Sequence, residues 1–255
     1  MASRPQALLL DFGGVLVESS GEPTGPDGLV NRLHELAGGT VAPELIAADL
    51  AAGDRAYSRW RDAMARPYAP AEITHERFWA DFVCADWPAP ARAAVVARAT
   101  ELAYAVTELG PAWRLREGVV DLLDAAGTAG IPLAVVSNTL CGAAFRDFLD
   151  RVGVGDRFAA QCYSDEAGVR KPNPALVLAA TEALKVPPAD AWFVGDTPLR
   201  DMLAGRRAGV GRVIQVRSPR RVDESDPRAQ PDAVAESMVD VHHLLLLALR
   251  GSRDS

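Results

Sequence analysis

The stretch 7-ALLLDFGGVL-16 decides how the chain is read. Four apolar residues run without alternation and stop at Asp11, and the pair Gly13-Gly14 follows. A short continuous apolar run is the pattern of a strand covered on both faces, as in a parallel sheet. The pattern returns at 131–136 (IPLAVV), 191–194 (AWFV) and 212–216 (RVIQV). Helix-period segments at 118–129, 143–152, 174–184 and 198–208 separate these runs. Such alternation predicts a doubly wound parallel α/β sheet with right-handed crossovers. Further strands are expected near 158–163 and 233–235, and a closing helix near 239–250.

The alternation breaks after the first strand. From 18 to 110 no strand-like run is read, only helical patterns at about 29–38, 43–65, 71–84 and 89–107, punctuated by Pro43, Pro67, Pro70, Pro88 and Pro90. The Gly-, Pro- and Ser-rich segment 18–28 reads as one hinge and 109–111 as the return. The expected organisation is therefore an α/β core over 1–17 and 111–255, with an all-helical module inserted over 18–110. The polar segment 217–231 reads as a loop.

Composition narrows the function. The 255 residues are 49% hydrophobic and 24% charged, so the chain is globular and long enough for a large core. Its 27 basic and 34 acidic residues give a net charge of −7, the wrong sign for a nucleic-acid surface. Cys84, Cys141 and Cys162 are odd in number and widely spaced, which fits reduced thiols rather than a disulfide framework. The apolar run 244–249 is far shorter than the roughly 20 residues a membrane span needs, and 1–12 does not read as a signal peptide. A cytoplasmic protein, monomer or homodimer, is expected, with no nucleic-acid or membrane partner.

Ligands of open parallel sheets bind beyond the carboxyl ends of the strands, and four patches stand there. LLLDFGGVL supplies Asp11; VVSNT supplies Ser137 and Asn138; GVRKPNP supplies Lys171; WFVGDTPLRD supplies Asp196 and Asp201. The only lysines are Lys171 and Lys185, so a lysine kept beside a proline stands out. Each patch alone is explained by capping or by solvation. Together they offer a carboxylate, a hydroxyl with an amide, a cation and further carboxylates, which is what phosphoryl transfer requires. Asp11 can attack phosphorus and split one hard displacement into two. Two anions approach only if cations intervene, and Mg²⁺ takes oxygen ligands. Asp11, Asp196 and the Gly13 carbonyl can hold it, while Lys171 adds positive charge and Ser137 a hydrogen bond to a phosphoryl oxygen.

In this order the patches resemble the four motifs of the haloacid dehalogenase superfamily, and the inserted helices resemble its helical C1 cap. The resemblance implies a small phosphorylated substrate, such as a sugar phosphate, and hydrolysis through an aspartyl-phosphate. It also implies Asp11 as nucleophile and metal ligand, Ser137 and Asn138 at the phosphate, and Lys171 steadying nucleophile and phosphoryl group. Asp196 is then a Mg²⁺ ligand and Asp201 a support for the metal. Most phosphatases of the superfamily carry an acidic residue where this chain has Gly13, as general acid and base, a role worth about 10²–10⁴-fold in rate. Glu18, Asp27 and Glu166 are candidate substitutes. A catalytically weakened, ligand- or partner-binding protein is the alternative reading, and 2-haloacid dehalogenation a more distant one. A phosphonate-cleaving site would need a cap lysine, and 18–110 contains none.

Substrate choice is expected to fall to Arg55, Tyr57, Arg59, Trp60 and Arg61 on the second cap helix, and to Phe78, Trp79 and Phe82 on the third, packing inside the cap being the commoner use of such aromatics. His34, His75, His242 and His243 show no metal-ligand spacing.

Overall fold

In the computed structural model, which describes residues 3–23, 25–218 and 226–251, alternate residues of each central strand enter different apolar clusters. Leu8 and Leu10 of β1 (Ala7–Leu10) pack with the helices Val119–Thr128, Gly142–Arg151 and Met238–Gly251. Ala7 and Leu9 pack on the opposite face with the helices Pro174–Leu184 and Leu203–Ala208. Coverage of both faces is the physical reason the strand sequences do not alternate.

An antiparallel ribbon joins β2 (Val17–Pro23) to β3 (Pro111–Leu115). The main sheet adds β4 (Leu133–Ser137), β5 (Ala160–Tyr163), β6 (Ala191–Gly195), β7 (Arg212–Val216) and β8 (Ala233–Ala235). Its order is β5-β4-β1-β6-β7-β8, all parallel. From β1 the chain first builds outward on one side through β4 and β5, then returns to build the other side through β6, β7 and β8. The crevice where that direction reverses lies at the carboxyl end of β1, which is where such sheets bind ligands. The doubly wound α/β fold is as the sequence predicts.

The ribbon corrects the reading of 18–110 as free of strands. Glu18 pairs with Arg114 and Ser19 with Trp113, so the first supposed hinge is a strand paired with the one that follows the return. Between them the helices Asp27–Leu36, Pro43–Ala63, Ala89–Val96 and Ala99–Glu108, with the turns His75–Arg77 and Phe78–Val83, surround their own apolar cluster. That cluster also takes in Leu140 and Cys141, which follow β4. The helical pattern expected over 89–107 is broken at residues 97–98. Of the loop 217–231, residues 219–225 lie outside those described. Among the described residues no helix is long and apolar enough to cross a membrane, and none of the three cysteines is in a disulfide.

Candidate active site

Three strands end beside one another and deliver the expected side chains to one point. Asp11 follows β1, Ser137 closes β4 and Asp196 follows β6. The Lys171 ammonium donates to Asp11 Oδ1 at 2.7 Å and to the Val136 carbonyl at 2.7 Å, and lies 2.7 Å from Asp201 Oδ1. Lys171 and Asp201 are each 2% exposed. Burial alone would lower the lysine's pKa; the carboxylates of Asp11 and Asp201 outweigh it, and the net shift is upward. Carboxylate oxygens of Asp11, Asp196 and Asp201 lie within 4.8 Å of one another, all three residues buried. A compact set of hard oxygen donors fits Mg²⁺ rather than a thiophilic metal.

Backbone geometry fixes each carboxylate. The turn Pro198–Met202 brings Asp201 back so that its Oδ2 accepts from the amides of Asp196 at 3.2 Å and Thr197 at 2.9 Å. A Cβ on Gly195 would fall 2.6 Å from Asp201 Cγ, so that close approach requires glycine. Asp196 accepts from the Thr197 hydroxyl at 2.7 Å on one oxygen and from the Ser218 hydroxyl at 2.8 Å on the other. Gly14 has φ +81°, and a Cβ there would overlap the Asp196 carboxylate. Gly13 is not among the glycines with positive φ. Among the described residues no donor engages its carbonyl, whereas Arg116 takes the Gly14 carbonyl.

Asn138 is occupied by Lys171. Its side-chain NH₂ donates to the Lys171 carbonyl at 2.9 Å, and its oxygen accepts from the Lys171 amide at 2.8 Å. The lysine is thus gripped at its backbone as well as at its tip.

The segment 67–75 straps the helical region onto this rim. Arg207 donates to the carbonyls of Pro67 and Tyr68, and the amide of Glu72 donates to Gly168. Glu72 accepts from Arg170 at 2.7 Å, both side chains being 1% exposed, and from the Ser164 hydroxyl at 2.6 Å. Burial raises the Glu72 pKa, with Arg170 opposing. His75 reaches the Leu140 carbonyl at 2.7 Å and lies 3.6 Å from Asp165. The Asp165 carboxylate beside it raises its pKa, with partial burial opposing.

A cavity of about 240 Å³ opens over the strand ends. Asp11, Gly13, Ser137, Asn138, Lys171, Asp196 and Asp201 all line it. Of the residues expected from the cap, Tyr57, Arg61 and Phe78 line it and Arg55, Trp60, Trp79 and Phe82 do not. Trp79 is fully buried and donates to the Ala99 carbonyl at 3.1 Å. Arg59 is exposed and also away from the cavity. Glu18 is paired with Arg114, Glu166 with Arg146, and Asp27 is exposed on its helix; none of the three lines the cavity. Among the described residues, the carboxylate that does, outside the buried cluster, is Asp54. Arg170, Arg200 and Asp54 are cavity residues that the sequence reading did not single out. Arg170 precedes Lys171 and Arg200 precedes Asp201, so proximity to a motif was their available signal; Asp54 had only its helix-mates Tyr57 and Arg61.

A model of the haloacid dehalogenase-like hydrolase family matches residues 5–209. The chain is 32% identical to a phosphoserine phosphatase of Thermus thermophilus over 198 residues, covering 70% of this chain and 78% of that protein. It is 32% identical over 129 residues to a phosphoglycolate phosphatase of Xylella fastidiosa, about half of each chain (51% and 54%). Among solved structures it resembles CbbY of Rhodobacter sphaeroides in complex with xylulose-(1,5)bisphosphate. That match has a TM-score of 0.60 and 25% identity over 92% of this chain and 96% of the other.

Proposed function

The chain belongs to the haloacid dehalogenase-like hydrolases, and from that premise we propose that it is a Mg²⁺-dependent phosphatase of a small phosphorylated metabolite. The phosphatases among its relatives support a phosphatase. The observation that carries the finer reading is the buried junction of Lys171 with Asp11 and Asp201, beside Asp196. Asp11, Asp196, Asp201 and the Gly13 carbonyl would hold the metal. Bound there, Mg²⁺ supplies positive charge that lets a carboxylate approach a phosphate dianion.

The Asp11 carboxylate attacks phosphorus, the ester P–O bond breaks, and the phosphoryl group is left on Asp11. Lys171 holds Asp11 Oδ1 and contributes charge where the phosphoryl oxygens gather. The Ser137 hydroxyl, buried at the end of β4, donates to one of those oxygens. Asn138 acts in this reading as a positioning residue, since both polar ends of its side chain are committed to Lys171. Water then cleaves the acyl phosphate and restores the carboxylate.

The test is phosphate release from a panel of sugar phosphates and other small phosphate esters. Release is expected with Mg²⁺, and its loss on chelation and in Asp11→Asn. A folded protein that turns over nothing in the panel contradicts the reading.

Gly13 favours a second reading, a naturally weakened catalyst, because no side chain stands there to move a proton. Its φ is not in the left-handed region, so the backbone conformation there does not demand glycine. If Gly13→Asp raises turnover about 10²-fold or more, the weakened reading holds; an unchanged rate in an active enzyme excludes it.

A further inference from the structure

We propose that the substrate carries a second anionic group besides the phosphoryl group, and that Arg61, Arg170 and Arg200 bind it. The inference rests on the phosphatase reading and names its class of substrate. Arg61 reaches the cavity from the helix Pro43–Ala63, Arg170 from the residue before Lys171, and Arg200 from the turn Pro198–Met202. Three separate elements thus converge guanidinium groups on one space.

Among the described residues only one of the three is neutralised by a carboxylate of the chain itself. Arg170 has Glu72. Arg61 and Arg200 form no ion pair among the described residues; Arg61 donates to the Ser58 hydroxyl at 2.8 Å and Arg200 to the Thr197 hydroxyl at 3.3 Å. The Nε–H groups of Arg61 and Arg170 are buried without an acceptor among the described residues, and Arg170 as a whole is only 1% exposed. Burial, together with Arg200 and Arg170, lowers the Arg61 pKa. Asp54, which also lines the cavity, is near enough to oppose that shift without forming an ion pair among the described residues.

Aromatic rings hold two of these groups by their faces. The Arg61 guanidinium lies 4.9 Å from the Tyr57 ring centre, and that of Arg170 4.8 Å from the Trp60 ring centre. Stacked guanidinium groups keep their N–H edges for planar acceptors, the geometry that suits carboxylate or phosphate. Desolvated cations without partners are costly, and an incoming anion supplies both the charge and the acceptors. A neutral sugar tail supplies neither charge nor the paired oxygens.

Matched three-carbon probes test this: glycerol 3-phosphate with no second anion, 3-phosphoglycerate with a carboxylate, and 1,3-propanediol bisphosphate with a second phosphate. The wild type is expected to favour at least one of the two probes with a second anionic group over glycerol 3-phosphate by roughly tenfold or more in kcat/KM, and Arg61→Gln and Arg200→Gln to bring that ratio toward one. Which of the two probes leads distinguishes carboxylate from phosphate. The same three compounds are titrated calorimetrically into folded Asp11→Asn protein with Mg²⁺, where the same order of affinity is expected. If no ester is turned over, the phosphatase reading fails while this binding order still decides the arginine site. A wild-type ratio near one in both measurements, or a ratio that survives both arginine substitutions, overturns the proposal.

Discussion

The strand-end carboxylates and the arginine wall face one cavity, yet the fold treats their charges in opposite ways. At the strand ends, Lys171 lies between Asp11 and Asp201, Asp201 takes two backbone amides, and Asp196 takes two hydroxyls. On the wall, among the described residues, Arg61 and Arg200 have hydroxyl partners but no carboxylate, and two buried Nε–H groups have no acceptor. Protein groups complete the first region; the second is left for something that arrives. In our reading that separates chemistry from recognition: the rim is built to react with any phosphoryl group, and the wall to choose which one stays.

Substitutions that exchange the behaviour of the two regions break or sharpen the contrast. Lys171→Met has the largest expected effect, because it leaves Asp11 and Asp201 buried without their cation. A loss of about 3–5 kcal/mol in unfolding free energy is expected in metal-free protein. Turnover is expected to fall about 10²–10³-fold or more. Denaturant melts and phosphate-release assays check both.

Gly14→Ala comes next. It places a side chain in left-handed backbone and against Asp196, with an expected cost of about 1–3 kcal/mol and a higher Mg²⁺ concentration needed for half-maximal activity. A Gly14→Ala protein as stable and as active as the wild type contradicts the packing described. Arg61→Gln, by contrast, removes a charge that lacks a partner, so ligand-free stability is expected to change by less than about 1 kcal/mol or to rise. A loss comparable to that of Lys171→Met erases the distinction between the regions.

The smallest effect is a pH dependence at the strap. His75 has a raised pKa when folded, so its contribution is complete below the unfolded value of about 6.5 and fades as pH rises through the folded one. The stability difference between wild type and His75→Gln is therefore expected to be larger near about pH 5.5 than near about pH 8.5. Equal differences at both, in urea melts, show that protonation of His75 contributes nothing.

The sheet was legible because strands covered on both faces cannot alternate, and 7–10, 191–194 and 212–216 carry that mark within a residue of their observed ends. The strand-end residues were legible because a doubly wound sheet confines ligands to one edge, so Asp11, Ser137 and Asp196 needed only their position after an apolar run. The ribbon was not. VESSGEP has the polar, glycine and proline content of a hinge, and pairing with β3, not local pattern, makes it a strand. Nor was the strap: Glu72 falls within the helical pattern read over 71–84, yet it lies in a loop ahead of the turn His75–Arg77 and meets Arg170 98 positions later. The turns Phe78–Val83 and Pro198–Met202 are wider than an α-helix, a difference that a 3.6-residue pattern does not register.

The central claim is that Asp11 takes the phosphoryl group. Rapid quenching of the enzyme during turnover, borohydride reduction and mass spectrometry of the peptide containing residue 11 test it directly, since an aspartyl-phosphate is reduced to homoserine. The account predicts homoserine at position 11 in wild type during turnover and none in Asp11→Asn. Steady phosphate release with Asp11 unmodified, or with another residue carrying the label, contradicts it.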